Sequence, residues 1–237
     1  ASGRWIWIAE SDDFAAPEFL NIGMINLQKN PGASLFYCDA HVIKEKNNQK
    51  NGQKTFAELK NSFFKTEKWS SEYFIEGKQE INDCMKFACT INNTSSMLFK
   101  KEKLFGMIKE NHFTYHGDWY YELKMASCTN ICYSAAPLNF FRLHPNNHLN
   151  SKDLLQSKKE YFIILEFLYA MDFVTSKRKL IHFFSRQYLG FGILSDGLKH
   201  GLLLFRSYRK LNKLLAIKVL FSILIQKILN RKRKATF

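Results

Sequence analysis

Four acidic residues stand where chemistry could use them. Three follow the apolar run Trp5-Ile6-Trp7-Ile8-Ala9 as Glu10-Ser11-Asp12-Asp13, and the fourth, Asp118, lies 105 positions beyond Asp13 between Gly117 and Trp119. Carboxylates at the end of a strand put hard oxygen ligands at a sheet's edge, a setting that suits Mg²⁺ or Mn²⁺. A lone acid between a glycine and an aromatic ring suits a general base in a cleft. Together the two signals point to metal-assisted transfer of a phosphorylated group onto a hydroxyl. Each also has a plainer reading. An acid after a strand is often a helix cap, so Asp12 or Asp13 could serve the helix expected near Pro17, and Asp118 could cap its own.

The elements that must position these acids follow from the pattern. Residues 5–8 read as an interior strand because they are apolar at every position. A helix is expected from Pro17 to about Gln28, stopped by Asn30-Pro31-Gly32, with a second strand over 33–39. Strand, helix, strand is the opening of an α/β sheet. Residues 44–55 are polar and turn-rich and read as a loop. A helix is expected around 80–87, a strand ending near Phe99, and a short basic helix over 100–105. Residues 118–126 form a helix with Trp119, Leu123 and Ala126 on one face, and 131–133 and 138–142 are two short strands. After Lys152 the pattern is almost wholly helical.

With 237 residues, 46% hydrophobic and 15% aromatic, the chain can bury a sizeable core. Its net charge of +14 is uneven: residues 177–237 hold 15 Lys and Arg against one acid, Asp196, and the rest balances. That tail must meet something anionic. Over 211–229 the polar residues Lys218, Ser222 and Gln226 fall four apart, leaving a wide apolar face ahead of Arg231-Lys232-Arg233-Lys234. This pattern suits a helix lying in a membrane interface, and the apolar face is too broad for a nucleic-acid-binding helix. The uncharged stretch 219–225 is far shorter than the roughly 20 residues a span requires. Five cysteines without a C-x-x-C pair read as buried, reduced thiols.

In order, the segments form a pattern. Ala1, Gly3, Trp5-Ile6, Glu10-Ser11-Asp12-Asp13, Pro17-Glu18-Phe19-Leu20, Asn30-Pro31-Gly32-Ala33 and Tyr37-Cys38-Asp39 resemble the central part of bacterial family 2 glycosyltransferases. So do Asn93-Thr94-Ser95-Ser96, Gly117-Asp118-Trp119 and Pro137-Leu138-Asn139-Phe140-Phe141-Arg142-Leu143-His144, and the resemblance covers residues 1 to about 148. It implies an α/β fold: a partial GT-A (Rossmann-like) nucleotide-sugar transferase sheet over 1–150, then a helical, basic amphipathic region over 151–237.

For individual residues the resemblance implies that Glu10-Ser11-Asp12 occupies the family's Asp-x-Asp metal motif, with Glu in place of the usual first Asp. Asp12 would bind Mg²⁺ or Mn²⁺ directly and Glu10 would assist through water or the donor's ribose. Asp13 and Arg142 complete the donor side, Arg142 offering a forked donor to the diphosphate, and His144 is a further candidate metal ligand. Asn93, Ser95 and Trp119 fall on the acceptor side. Asp118 is the implied base for an inverting displacement.

Implied partners are a nucleotide-sugar donor, a glycan or lipid-linked acceptor and an anionic membrane surface, with no nucleic acid. A homodimer is compatible with the sequence. The implied placement is cytoplasmic, at the inner face of the plasma membrane, in surface polysaccharide synthesis. The family's N-terminal nucleotide-binding half has no counterpart here: no opening strand leads to Pro-x-Tyr-Asn, and no early Asp awaits a uracil-like ring. The alternative expectation is therefore a non-catalytic remnant that binds a membrane or a partner protein.

Overall fold

The computed structural model describes residues 2–44, 54–104, 113–143 and 154–173. The chain divides into two compact units, residues 1–160 and 161–237. The described part of the second is the end of one helix and the turn after it. The first unit is mixed α/β, built on a curled mixed sheet. Its elements are β1 (Trp5–Trp7), β2 (Phe14–Ala15), α1 (Phe19–Lys29), β3 (Ala33–Lys44), α2 (Phe56–Phe64), β4 (Tyr73–Glu76), α3 (Gly77–Glu80), β5 (Met97–Lys100), α4 (Lys101–Leu104), α5 (Gly117–Ala126) and β6 (Asn130–Leu143). The helix α6 (Leu154–Ala170) crosses the boundary between the units.

β3 is the spine of the sheet. Its residues from Ala33 to Ala40 are all buried, the mark of a strand covered on both faces. It pairs antiparallel with β5 and parallel with β6, giving the order β1-β5-β3-β6-β2, with β4 also on β6. On one face Phe36 and Cys38 meet Phe19 and Leu27 of α1, Leu98 of β5 and Cys132 of β6. α1 forms because Phe19, Gly23 and Leu27 recur every fourth residue as its buried stripe, and Asn30-Pro31-Gly32 ends it as expected. On the other face the Tyr37 and Tyr133 rings pack tilted at 46° with centres 4.7 Å apart, and Tyr37 accepts the Trp69 indole N–H at 2.9 Å.

Several expectations are corrected. β1 is not interior: among the described residues it is the outer strand, paired only with β5, and Trp7 and Ile8 are exposed. Apolarity alone could not distinguish a buried strand from an edge one. The two short strands expected after residue 130 are one strand, β6. Between Ser134 and Pro137 its register against Cys38 and Asp39 slips, and Pro137, which lacks an N–H, falls at that irregularity, where a ladder tolerates it. The helix expected over 80–87 is the short α3 continuing into a wider, π-type turn at Ile81–Met85. All five cysteines are free, but Cys128 is exposed.

The expected 33–39 strand, 118–126 helix and short basic helix all form, the last as α4. Among the described residues no helix is long and apolar enough to cross a membrane. His144, most of the 44–55 loop, the amphipathic 211–229 stretch and the 231–234 basic run lie outside the described residues.

Candidate functional site

Between β1 and β2 the chain turns through residues 8–13, and a buried polar knot holds that turn in place. The Glu10 N–H donates to Ser95 Oγ at 3.0 Å, and the Trp7 indole N–H donates to the Ser95 carbonyl at 2.8 Å. Asn139 of β6 donates to that same carbonyl at 3.0 Å and accepts from Asn93 Nδ2 at 2.6 Å. Asn93 in turn accepts the Ser95 N–H at 2.9 Å. Asn93, Ser95 and Asn139 are all buried. Asn93 and Ser95, expected on the acceptor side, are thus the base on which the acidic turn rests. Asn139 is the partner that sequence reasoning missed.

β6 closes the turn from the other side. β2 pairs with it through Phe14–Phe140 and Ala15–Asn139. The Arg142 N–H donates to Asp13 Oδ1 at 3.2 Å, and the exposed Arg142 guanidinium donates to the Asp12 and Ser11 carbonyls. In this arrangement Arg142 clamps the turn's backbone. Asp13 does not cap α1, which has Glu18 at its N-cap and no side-chain cap.

The fourth acid reaches the cluster on α5. Asp118 lies in the helix's first turn, where a carboxylate complements the dipole, and its Oδ1 accepts the Trp119 N–H at 2.7 Å. Gly117 is required just before it, because a Cβ there would sit 2.9 Å from Phe113 Cβ. Trp119 is 3% exposed and its indole N–H donates to the Met85 carbonyl at 2.8 Å, so its ring anchors α5 inward.

The carboxylates of the turn act on one another. The Glu10 carboxyl is raised by desolvation first, then by repulsion from Asp13, Asp12 and the distant Asp118, with Ser95 offsetting part. Asp13 is raised by desolvation, against the pull of the Arg142 N–H and of nearby Ser95 and Asn93. Its Oδ2 is buried without a hydrogen bond. Behind Asp118, one helical turn on, Glu122 is 0% exposed; its Oε2 accepts from the Cys89 thiol at 3.2 Å and its Oε1 has no partner. Desolvation and then Asp118 hold Glu122 well above the carboxylate range. Its signal in the sequence was an acid set into the apolar face of Trp119, Leu123 and Ala126.

Among the described residues no three His, Cys, Asp or Glu side chains converge into a metal cage. The residues instead suit a hard divalent ion that takes one or two carboxylates and completes its shell with water and phosphate oxygens. The mutual repulsion of Glu10, Asp12 and Asp13 and the orphaned Asp13 Oδ2 are the features such an ion would relieve. Compared against models of known protein families and against curated proteins, the chain matches none.

Proposed function

We propose that this chain is an inverting glycosyltransferase of GT-A type, or the larger part of one, acting with Mg²⁺ or Mn²⁺ on a nucleotide-sugar donor. The observation that supports this reading is that the charge of Asp118, more than a hundred residues further along the chain, reaches the Glu10 carboxyl and helps to raise it. A base and a cation-holding acidic turn are the two parts a single displacement needs.

Asp12 and Glu10 would hold the ion, with Asp13 beside them. When bound, it supplies Lewis-acid neutralisation of the diphosphate leaving group. Asp118 takes the proton of an acceptor hydroxyl as that oxygen bonds to the anomeric carbon. The carbon–oxygen bond to the diphosphate breaks, and the nucleoside diphosphate leaves with the electron pair. Attack from the opposite face inverts the anomeric centre. Arg142 and the Asn93–Ser95–Asn139 knot keep the turn in register with Asp118. The acceptor class that suits the basic tail is a glycan or lipid-linked glycan at an anionic membrane surface.

The test is turnover of a panel of nucleoside-diphosphate sugars with Mg²⁺ or Mn²⁺, scored by nucleoside diphosphate release and by the product's anomeric configuration. Asp118→Asn should lose about 10²–10⁴-fold in turnover. No metal-dependent turnover with any donor, retention of configuration, or an Asp118→Asn variant as active as the parent each rejects the reading.

A further inference from the structure

Helix α5 is entered through Thr114, Tyr115 and His116, and His116 at the N-cap position makes no side-chain cap bond. The backbone N–H groups of these three residues lie ahead of the helix and need a partner of their own. They find it 44–46 residues away. Glu160 of α6 accepts the Thr114 N–H at 2.7 Å, the Tyr115 N–H at 2.8 Å and the His116 N–H at 2.8 Å. Gln156 steadies the same carboxylate at 2.9 Å, and Ser157 Oγ lies 2.8 Å from His116 Nε2. Glu160 is 1% exposed, so these bonds stand in for all of its hydration. Burial pushes its carboxyl up, but the donors outweigh burial and keep it below the usual range. A buried carboxylate held by three consecutive backbone N–H groups is a rigid joint, because each bond is charge-assisted and directional.

We infer that Glu160 is a positioning residue for Asp118: it holds the three residues that lead into α5 and so fixes where the helix's first turn, and the Asp118 carboxylate on it, stands. The inference rests on the transferase reading only in naming Asp118 as the base. The joint ties the start of α5 to α6, so the placement of Asp118 depends on a residue no local motif points to.

The experiment uses the full chain, ¹⁵N-labelled, as wild type, Glu160→Gln and Glu160→Asp. Two NMR readouts are taken: amide exchange at Thr114, Tyr115 and His116, and the amide shift of Trp119, whose N–H is bonded to Asp118 Oδ1. In Glu160→Gln the three amides should exchange roughly 10–100-fold faster while those of β3 keep their protection. The Trp119 amide should move with them, and Glu160→Asp, which keeps the charge on a shorter arm, should fall between. Unchanged exchange overturns the inference. So does faster exchange with an unmoved Trp119 amide, which makes Glu160 a local anchor of residues 114–116 and nothing more. If Glu160→Gln does not fold, Glu160→Asp decides by the same criteria. Where the wild type turns over a nucleotide sugar, kcat in Glu160→Gln should fall roughly 10–100-fold with the donor KM unchanged. A chain that transfers no sugar sinks the transferase reading, while both NMR readouts still judge the joint.

Discussion

Asp13 shows the cost of a charged site at the scale of one residue. Its carboxyl is raised, first by desolvation, and one of its oxygens is buried without a partner. An acid with a folded-state pKa above its unfolded value is destabilising once ionised. Its penalty is absent well below the ordinary carboxylate range and grows as pH rises through the raised value. Asp13→Asn should therefore raise the thermal midpoint at pH 7, the gain fading as pH falls through the carboxylate range, and should abolish or weaken metal-dependent turnover. The amide can still accept the Arg142 N–H through Oδ1, so the turn keeps that bond. Midpoints of both proteins from pH 3 to 7 check this; a variant no more stable at pH 7 contradicts it. The same trade is seen at Glu10, whose charge is harder to hold for burial first and then for Asp13, Asp12 and Asp118. Stability given up in a cluster of like charges is common at sites that bind cations.

At the scale of elements, the position of α5 is set at both ends. Its start is held by Glu160, and its end packs against the junction of β4 and α3. There the Gly77 N–H donates to the Thr129 carbonyl at 3.0 Å. A Cβ on Gly77 would lie 2.0 Å from the Ala126 carbonyl oxygen and 2.3 Å from that of Thr129. Both neighbours are backbone, so nothing soft can give way. Gly77→Ala should cost about 1–3 kcal/mol or more, read as a lower urea midpoint at unchanged slope. An unchanged midpoint would show that the end of α5 relaxes freely. β6 is the other element on which the site depends. Its first part pairs with β4, its later part with β2, and the irregularity around Pro137 lets one strand serve both. Straightening it would carry Asn139 and Arg142 away from the turn they hold.

For the first unit as a whole, the packing on the sheet's second face converges on a single buried lysine. Lys60 of α2 is 6% exposed and its Nζ stands 5.0, 5.1 and 5.3 Å from the ring centres of Tyr37, Trp69 and Tyr133. It donates to the Thr90 carbonyl at 3.1 Å. Burial lowers it to about 8, with Asp39 and Glu80 pulling it part way back. Between that value and the ordinary lysine range the unfolded chain holds a proton that the folded one has released, so this group adds stability as pH rises. Unfolding free energies of wild type and Lys60→Met, compared from pH 7.5 to 10, should diverge by roughly 2–3 kcal/mol in the wild type's favour. A difference flat with pH rejects the assignment. What is local was legible in the order of residues: the apolar strand with acids at its end, the stop after α1, the face of α5, and the gathering of positive charge beyond residue 176. The first three follow from periodicity over windows shorter than 20 residues, and the last from composition alone. The order of residues also named the acids of the site, but not what supports them. Only the closed fold shows that β1 is an outer strand among the described residues, that β6 is one bent strand, that the Asp118 charge reaches Glu10, and that Asn139, Glu122, Glu160 and Lys60 are buried partners. Each of these depends on which distant segments pair, and a polar residue reads as exposed until the chain closes over it.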